Sequence, residues 1–224
     1  MEVIATDLPS WSFSTLKGFD TCPRQLYETK ILKNYPQEKS HAADYGDALH
    51  KAAEYYIGKG EPLPKEFQFL QGLLDRLLKL PGEKYPEMKM ALDVQFNPVD
   101  IKSPAAWFRG ISDLTIINGD EARILDYKSG NDRYADKGQL ELMALATWRH
   151  FPEVKRIKSG LLFVVKNTFI REDFHIDQEK QLWEKWLTKY KAYARAHKTG
   201  VWNPKKSGLC KKHCPVATCA HYGG

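Results

Sequence analysis

Long apolar runs are missing from this sequence. No window of its 224 residues approaches the roughly 18 consecutive apolar side chains of a membrane-spanning helix. The stretch from Met1 to Asp7 also lacks the basic segment followed by an apolar run that marks a secretion signal. We therefore expect a cytoplasmic protein, away from any membrane and in a reducing compartment.

Cysteine is scarce, with four residues in the chain. In a reducing compartment, thiols more often serve as metal ligands, catalytic groups or core residues than as disulfides. Cys22 stands near the N-terminus, whereas Cys210, Cys214 and Cys219 lie among the last fifteen residues. All four can act together only if the two ends of the chain meet.

Repeats, low-complexity linkers and base-reading modules are also absent from the pattern. The 34 Lys and Arg residues outnumber the 28 Asp and Glu residues, which gives a net charge of +6 and a pI near 9.0. This balance favours polyanionic partners but is shared by many proteins that have none. A chain of this length fits one domain.

The apolar periodicity predicts an α/β protein. Helices are expected over residues 43–57, 66–80, 138–151 and 177–197, and strands over 88–96, 107–117, 123–129, 160–165 and 170–176. Three adjacent strands followed by a crossover helix predict a mixed sheet with helices on its faces. We expect one domain, 1–224, with a helical part (1–82), a sheet core (83–176), and a C-terminal helix with a cysteine-rich tail (177–224).

The second and third strands form a hairpin that carries two acids and a lysine. Asp126 and Lys128 share one face of their strand, because side chains two residues apart point the same way. A two-residue loop after Ile117 would place Asp113 diagonal to Asp126, and a four-residue loop would place them directly opposite. Either arrangement lets two carboxylates share one hard cation, as phosphodiester hydrolysis requires, whereas a three-residue loop would split the site. The competing interpretation is a solvated strand face.

Two further polar residues could join this site. Gly46 and His50 lie one helical turn apart, so a substrate strand could approach over the glycine while the imidazole meets a metal or a phosphate. Gln139 lies on the first turn of a helix that returns across the sheet, where an amide can orient water or phosphate. Taken alone, the histidine could be structural and the glutamine a surface residue.

These motifs resemble those of a known family. Cys22-Pro23, Gly46-x-x-x-His50, Gly110-Ile111-Ser112-Asp113, Asp126-Tyr127-Lys128 and Gln139 follow one another as in the RecB-like exonucleases of the PD-(D/E)XK superfamily. The sequence is most similar to the branch that contains the CRISPR-adaptation exonucleases, AddB-type nuclease domains and small phage exonucleases. The resemblance implies a restriction-endonuclease-like mixed central sheet flanked by helices, with the N-terminal helices and the cysteine tail packed together.

The resemblance also implies a role for each residue of the site. His50, Asp113, Asp126 and the main-chain carbonyl of Tyr127 would bind Mg²⁺ or Mn²⁺. The catalytic residues would be Asp113, Asp126, Lys128 and Gln139, with Lys128 as the catalytic lysine and Gln139 in support. Glu87, just before the first predicted strand, is the candidate for the family's further metal-binding acid, although it could equally be a surface residue.

The cysteines would carry a [4Fe-4S] cluster in proteins of this kind, with Cys22, Cys210, Cys214 and Cys219 as ligands. The spacing of the last three is loose and His213 and His221 stand among them, so a zinc site is a competing interpretation and metal-free thiols a third.

Trp11 could stack on unpaired bases. Four lysines of the tail, Lys205, Lys206, Lys211 and Lys212, could follow a phosphate backbone. Four aromatic residues recur at helical spacing, which predicts that they pack in the core and do not contact DNA bases: Trp183, Trp186, Tyr190 and Tyr193.

The expected function is that of a metal-dependent DNA exonuclease acting on single-stranded or end-containing DNA in recombination, repair or phage DNA metabolism. Recombination or replication proteins would be its partners. Three alternatives stay open: a catalytically silent protein that binds DNA ends on a nuclease scaffold, a structure-selective endonuclease, and an RNase or sequence-specific endonuclease. The sequence does not determine polarity, strand preference or pathway.

Overall fold

A computed structural model describes residues 8–36 and 40–224 of the chain, with Tyr134 described by its main chain alone. Residues 1–7, on which the absence of a secretion signal was argued, lie outside the described residues. The chain divides into two compact units. The sheet unit spans residues 40–183, and the terminal unit combines the described residues before position 40 with residues 184–224. The expectation of one domain over 1–224 stays a prediction.

Six helices and six strands carry the names used below. The helices are α1 (Phe13–Thr21), α2 (Pro23–Leu26), α3 (His41–Lys59), α4 (Gln71–Leu78), α5 (Gly138–His150) and α6 (Glu179–Thr199). The strands are β1 (Glu83–Leu92), β2 (Pro98–Val99), β3 (Phe108–Asn118), β4 (Glu121–Lys128), β5 (Arg156–Phe163) and β6 (Thr168–His175). Within the described residues, no helix is long and apolar enough to cross a lipid bilayer.

The strands form one sheet in the order β2-β1-β3-β4-β5-β6. The β4–β5 pair is parallel and the other pairs are antiparallel. The predicted crossover helix, α5, joins the two parallel strands, as such a connection requires. The predicted α/β class, with a mixed sheet flanked by helices, is confirmed.

Helices α3 and α4 cover one face of the sheet. Helix α3 begins after Ser40, whose hydroxyl accepts the N–H of Ala43, and ends at Gly60 with a φ of 68°. The predicted helix over 66–80 divides into a 3₁₀ segment, Lys65–Leu70, followed by α4. Most of the apolar stripe expected of this helix is core, but Leu73 is only partly buried and Leu78 is 37% exposed. Buried side chains of this layer include Leu49, Phe67, Leu70, Leu74, Leu77, Leu114, Ile116 and Leu125.

Strand β1 differs from its predicted bounds at both ends. It begins at Glu83 instead of Met88 because Pro86 is tolerated there, where β1 lies beyond its short pairing with β2 at Ala91 and Leu92. It ends at Leu92 because the Asp93 carboxylate accepts the N–H groups of two later residues and closes a turn. Alternation of apolar side chains continued beyond this turn and did not reveal it.

The terminal unit has an aromatic core. Trp11 lies against Tyr190, and Phe13 lies edge-on to Trp186. Trp11 is only 2% exposed, so the prediction that it stacks on DNA bases is wrong for this conformation. The core packing predicted for Trp183, Trp186, Tyr190 and Tyr193 is confirmed, since all four side chains are buried.

Candidate active site

The β3–β4 hairpin determines how its two acids meet. Asn118 pairs with Glu121, so the turn consists of Gly119 and Asp120, one residue later than the two-residue turn considered above. The same register pairs Leu114 with Leu125, and its next step sets Asp113 opposite Asp126. The hairpin therefore has a two-residue turn, and its register, continued one step past the last described pair, gives the opposition expected of a four-residue loop.

Asp113 joins three elements of the sheet unit. Its Oδ2 accepts the main-chain N–H of Tyr127 at 2.5 Å. Its Oδ1 lies 2.9 Å from Nδ1 of His50 on α3. The carboxylate thereby holds the end of β4 on one side and the imidazole on the other.

Asp126, Lys128 and Gln139 form a closed polar triangle. The Gln139 amide donates from Nε2 to Oδ1 of Asp126 at 2.5 Å, and its Oε1 accepts from Nζ of Lys128 at 3.1 Å. Nζ of Lys128 also lies 2.6 Å from Oδ2 of Asp126. Because α5 begins at Gly138, Gln139 lies on its first turn, where the sequence predicted it. The triangle leaves the ammonium partly exposed beside a buried carboxylate.

Glu87 faces the same space from β1. Its neighbours Pro86 and Met88 pair with Leu114 and Ser112, so Glu87 stands opposite Asp113. Its φ of 48° lies in the left-handed region, which residues other than glycine adopt mainly at strained or functional positions. Burial, followed by the charges of Asp113 and Glu54, raises the pKa of its carboxyl group.

One open pocket of about 460 Å³ collects these groups. Its lining consists of Asp47, His50, Lys51, Glu54, Glu87, Ile111, Asp113, Asp126, Lys128 and Gln139. Every side chain predicted for the metal or catalytic role lies in this pocket. Sequence reasoning missed Asp47, Lys51 and Glu54, although their spacing with His50 puts them on one face of α3.

The pocket carries more negative than positive charge, with five carboxylates against two lysines and a histidine. Burial and then the charge of Asp113 raise the pKa of Asp126. Burial lowers the pKa of His50, but the hydrogen bond to Asp113 and the charges of Asp113 and Asp126 outweigh it, so the net change is upward. A carboxyl group whose pKa is raised by burial and a neighbouring negative charge is relieved by a bound cation.

The described ranges contain no group of three or more His, Cys, Asp or Glu side chains in the geometry of a metal-ion site. In the arrangement seen, the oxygens of Asp113 and Asp126 face protein donors. The donor set is nevertheless the oxygen-rich one that Mg²⁺ and Mn²⁺ prefer. These residues fit such an ion if the carboxylates exchange their protein donors for it.

Gly46 has a neighbour within the protein. A β-carbon at this position would lie 3.3 Å from Oγ of Ser129, the residue that follows β4. The small residue therefore lets α3 approach the end of the hairpin. This contact gives Gly46 a packing role within the protein, and the approach of a substrate strand over it stays a prediction.

The four cysteines line one small cavity of about 10 Å³ in the terminal unit. The main-chain N–H of Lys205 donates to Sγ of Cys22 at 3.4 Å, and that of Ser207 to Sγ of Cys210 at 3.5 Å. His221 also lines this cavity. The ends of the chain thus bring the four thiols together, as their joint action requires.

The lysines expected to follow DNA differ in their surroundings. Lys206, Lys211 and Lys212 are exposed. Nζ of Lys205 donates to the main-chain carbonyl of Asp20 at 2.7 Å, and this residue borders the cysteine cavity. A structural role for Lys205 therefore competes with phosphate binding.

The chain is similar to two solved structures at low sequence identity. A crystal structure of a candidate exonuclease from Eubacterium rectale covers 92% of this chain and 88% of its own, with 14% identity and a TM-score of 0.49. A crystal structure of SSO0001 covers 98% and 88%, with 14% identity and a TM-score of 0.47. Similarity at this level carries no argument about function, and no curated protein matches the sequence. The profile described as the PD-(D/E)XK nuclease superfamily matches residues 10–219, and the chain belongs to this superfamily.

Proposed function

We propose that the protein is a divalent-metal-dependent DNA exonuclease that hydrolyses phosphodiester bonds at DNA ends, in recombination, repair or phage DNA metabolism. The observation that carries the proposal is the convergence of His50, Asp113, Asp126, Lys128 and Gln139 on one pocket. These groups come from α3, β3, β4 and α5, so no local sequence pattern would bring them together by itself.

Asp113, Asp126, His50 and the Tyr127 carbonyl would hold the cation, with Glu87 as a further acid. A bound Mg²⁺ or Mn²⁺ would neutralise charge on the phosphate and lower the pKa of its bound water. The excess of carboxylates in the pocket supports this assignment, because five of them share the space with only two ammonium groups.

Lys128 would act on the reacting phosphate or on the attacking water. Its side chain is one-third exposed, and its ammonium is held between Asp126 and Gln139. A cation held at that point can orient water and stabilise the negative charge that develops on the phosphate. Gln139 is a positioning residue in this proposal, since it contacts both of the other two side chains.

The test uses linear DNA, single- or double-stranded and labelled at one end, with Mg²⁺ or Mn²⁺. We expect the wild type to release nucleotides from ends, and Asp126→Asn and Lys128→Met to lose cleavage while still binding DNA. Asp120→Asn, in the turn of the same hairpin, and Lys59→Met, on an exposed part of α3, are the matched controls and should cleave normally.

Three outcomes would replace this proposal. DNA binding without cleavage by the wild type would indicate a silent end-binding protein. Cleavage of circular single strands or of internal junctions would indicate an endonuclease, and faster cleavage of RNA would indicate an RNase. If Asp126→Asn cleaves DNA as fast as the wild type, the assignment of this pocket as the active site is wrong.

We also propose a [4Fe-4S] cluster on Cys22, Cys210, Cys214 and Cys219. The shared cavity supports it, as do the two main-chain N–H groups directed at Cys22 and Cys210, because hydrogen bonds to sulfur are a recognised influence on such clusters. A zinc ion is the alternative, with His221 available beside the thiols.

Metal analysis of anaerobically purified protein separates the two. A cluster predicts iron and inorganic sulfide in equal amounts, lost in Cys22→Ser and retained in His221→Ala. Zinc bound in place of iron, and lost in His221→Ala but not in His213→Ala, would establish the zinc site. His213 is the matched control because it is exposed and does not line the cavity.

A further inference from the structure

A second cavity of the sheet unit lies between α4, the 3₁₀ segment before it, and the ends of β5 and β6. Its volume is about 240 Å³, below the roughly 300–1,000 Å³ of pockets for drug-sized ligands and suited to one planar ring system. We call it the aromatic groove and define it by Phe69, Leu73, Arg76, Leu162, Asn167 and Phe169.

Two phenylalanines of the groove are unusually exposed. Phe69 and Phe169 each expose 51% of their surface. Among the residues that the structure describes, neither ring contacts another aromatic ring. Large apolar side chains exposed together on one surface indicate a binding site more often than isolated ones do.

Phe169 is held in place by the strand beside it. A β-carbon built on Gly160 would lie 1.9 Å from Cε2 of Phe169 and 2.4 Å from its Cζ. The ring therefore occupies the space that any other residue at position 160 would fill. A ring packed on main chain while half of it stays exposed is a pre-organised platform, which loses little freedom when a ligand stacks on it.

Arg76 adds positive charge to the same groove. Its side chain is exposed, and across the described ranges no carboxylate lies within ion-pair distance of it. A guanidinium group both stacks on planar rings and binds phosphate. Aromatic faces next to an arginine are the combination that binds single-stranded nucleic acid without reading its sequence.

The groove is adjacent to the candidate active site. The main-chain N–H of Val164, which lines the groove, donates to the carbonyl of Lys128 at 3.0 Å. Lys128 also pairs with Phe163 in the parallel register of β4 and β5. Both sites therefore lie at the same end of the sheet, but on opposite faces, because side chains alternate along a strand and Phe169 pairs with Leu162 instead of Phe163. A DNA strand that contacts both would pass around this end of the sheet.

We propose that the aromatic groove binds an unpaired base of the same DNA strand whose phosphate lies at the candidate active site, so that the substrate is single-stranded DNA. This inference rests on the proposed nuclease function and specifies its substrate. A base inside a duplex is paired and stacked on its neighbours, so only an unstacked base presents its faces to Phe69 and Phe169.

The first test measures binding by fluorescence anisotropy in EDTA, with a labelled single strand and a blunt duplex of the same length. Phe169→Ala and Phe69→Ala should each weaken single-strand binding by about 5- to 150-fold and leave duplex binding nearly unchanged. Phe169→Leu should also weaken it, because it keeps apolar volume but removes the aromatic face. Val165→Ala is the control, since Val165 is apolar and 59% exposed in the adjacent turn but does not line the groove.

The second test removes bases from the DNA instead of rings from the protein. A single abasic site moved along the strand should weaken binding at one position for the wild type, and this loss should disappear in Phe169→Ala. If the wild type cleaves single strands while all groove variants bind like Val165→Ala, the groove assignment is overturned and the nuclease proposal stands. If the abasic effect appears but the wild type never cleaves, the groove assignment stands and the nuclease proposal fails.

Discussion

Replacing Asp126 by Asn should stabilise the metal-free protein while abolishing cleavage. The residue is 3% exposed, and the negative charge of a second carboxylate, Asp113, acts on it. Lys128 and His50 compensate only part of this unfavourable placement, since the net effect of the surroundings is to raise the pKa of Asp126. Active sites commonly hold charges at a cost to stability, and this carboxylate is such a case.

The size of the effect follows from the pKa. Burial and the charge of Asp113 raise the pKa of Asp126 from 3.8 to about 6. An acid with this difference destabilises the folded state by about 3 kcal/mol once it is ionised in both states. This figure already includes the attraction to Lys128, but Asn reproduces the hydrogen bonds of the protonated acid only in part, so we expect a net gain of about 1–2 kcal/mol.

The sign of the pH dependence provides an internal check. The ionised form is disfavoured in the folded state, so the contribution of Asp126 to stability falls as the pH rises from about 4 to about 6. At about pH 4 the carboxyl is protonated in the folded state and about half protonated in the unfolded state, so most of the advantage of Asp126→Asn over the wild type should be lost. Above it, the advantage should be complete.

Urea unfolding in EDTA at about pH 7.5 and about pH 4 measures this difference. Asp120→Asn is the matched control, because Asp120 lies in the same hairpin with an exposed side chain. Added Mg²⁺ should stabilise the wild type more than Asp126→Asn, since the ion relieves the repulsion that the substitution removes. If Asp126→Asn unfolds at lower urea than the wild type at the higher pH, the assignment of Asp126 as a strained, cation-seeking group is refuted.

Three further predictions concern the fold and the metal. Gly82→Ala should lower the free energy of unfolding by about 2 kcal/mol or more, because Gly82 has a φ of 108° and a β-carbon would lie 2.3 Å from the carbonyl oxygen of Ile117. Gly119→Ala, at a φ of 60° with open space around it, should lower it by only about 1 kcal/mol in the same urea assay. Leu74→Ala should cost about 2–5 kcal/mol because its side chain is fully buried, whereas Leu78→Ala, 37% exposed, should cost clearly less in the same assay. EDTA should abolish cleavage without unfolding the protein, as circular dichroism would show, and excess Mg²⁺ should restore it; cleavage that persists in EDTA would contradict the metal requirement.

The sequence predicted elements with strong periodicity well and their ends less well. Helix α3 was expected over 43–57 and spans His41–Lys59, because a serine cap and a C-terminal glycine extend it at both ends. The end of β1 was missed because Asp93 closes a turn within a continuing alternation of apolar residues. Local side-chain hydrogen bonds of this kind override a periodic pattern without changing it.

The candidate site was predicted from the positions that follow directly from strand geometry. Two residues on one strand share a face whatever the tertiary structure, which is why Asp126 and Lys128 could be joined from the sequence. The acids of α3 could not be assigned in this way, because their place depends on how that helix packs across the sheet. The one indication in the sequence was that Asp47 and Glu54 lie one helical turn before and after His50, on the same face of the helix.

Trp11 illustrates the opposite error. An aromatic residue near the start of a basic chain suggested base stacking, but Trp11 is buried against Tyr190 of α6. The exposed rings of the sheet unit were missed: Phe69 lies in the helix predicted over 66–80 but outside its apolar stripe, and Phe169 lies just before the strand predicted over 170–176. Exposure is decided by long-range packing, so the sequence cannot distinguish an aromatic residue of the core from one that faces a ligand.

The position of the site within the sheet has a physical reason. The β1–β3 register skips the Glu87–Asp113 pair, and the described β3–β4 pairing ends at Leu114 and Leu125. At this point the Asp113 side chain, in place of a main-chain carbonyl of β3, accepts the N–H of Tyr127, so β3 and β4 separate without leaving that donor unpaired. A hairpin that continued its regular pairing would hold these acids against neighbouring main chain, whereas the separation directs them towards an open pocket. The interruption of two strand pairings therefore creates the space in which a cation and a phosphate can approach the carboxylates.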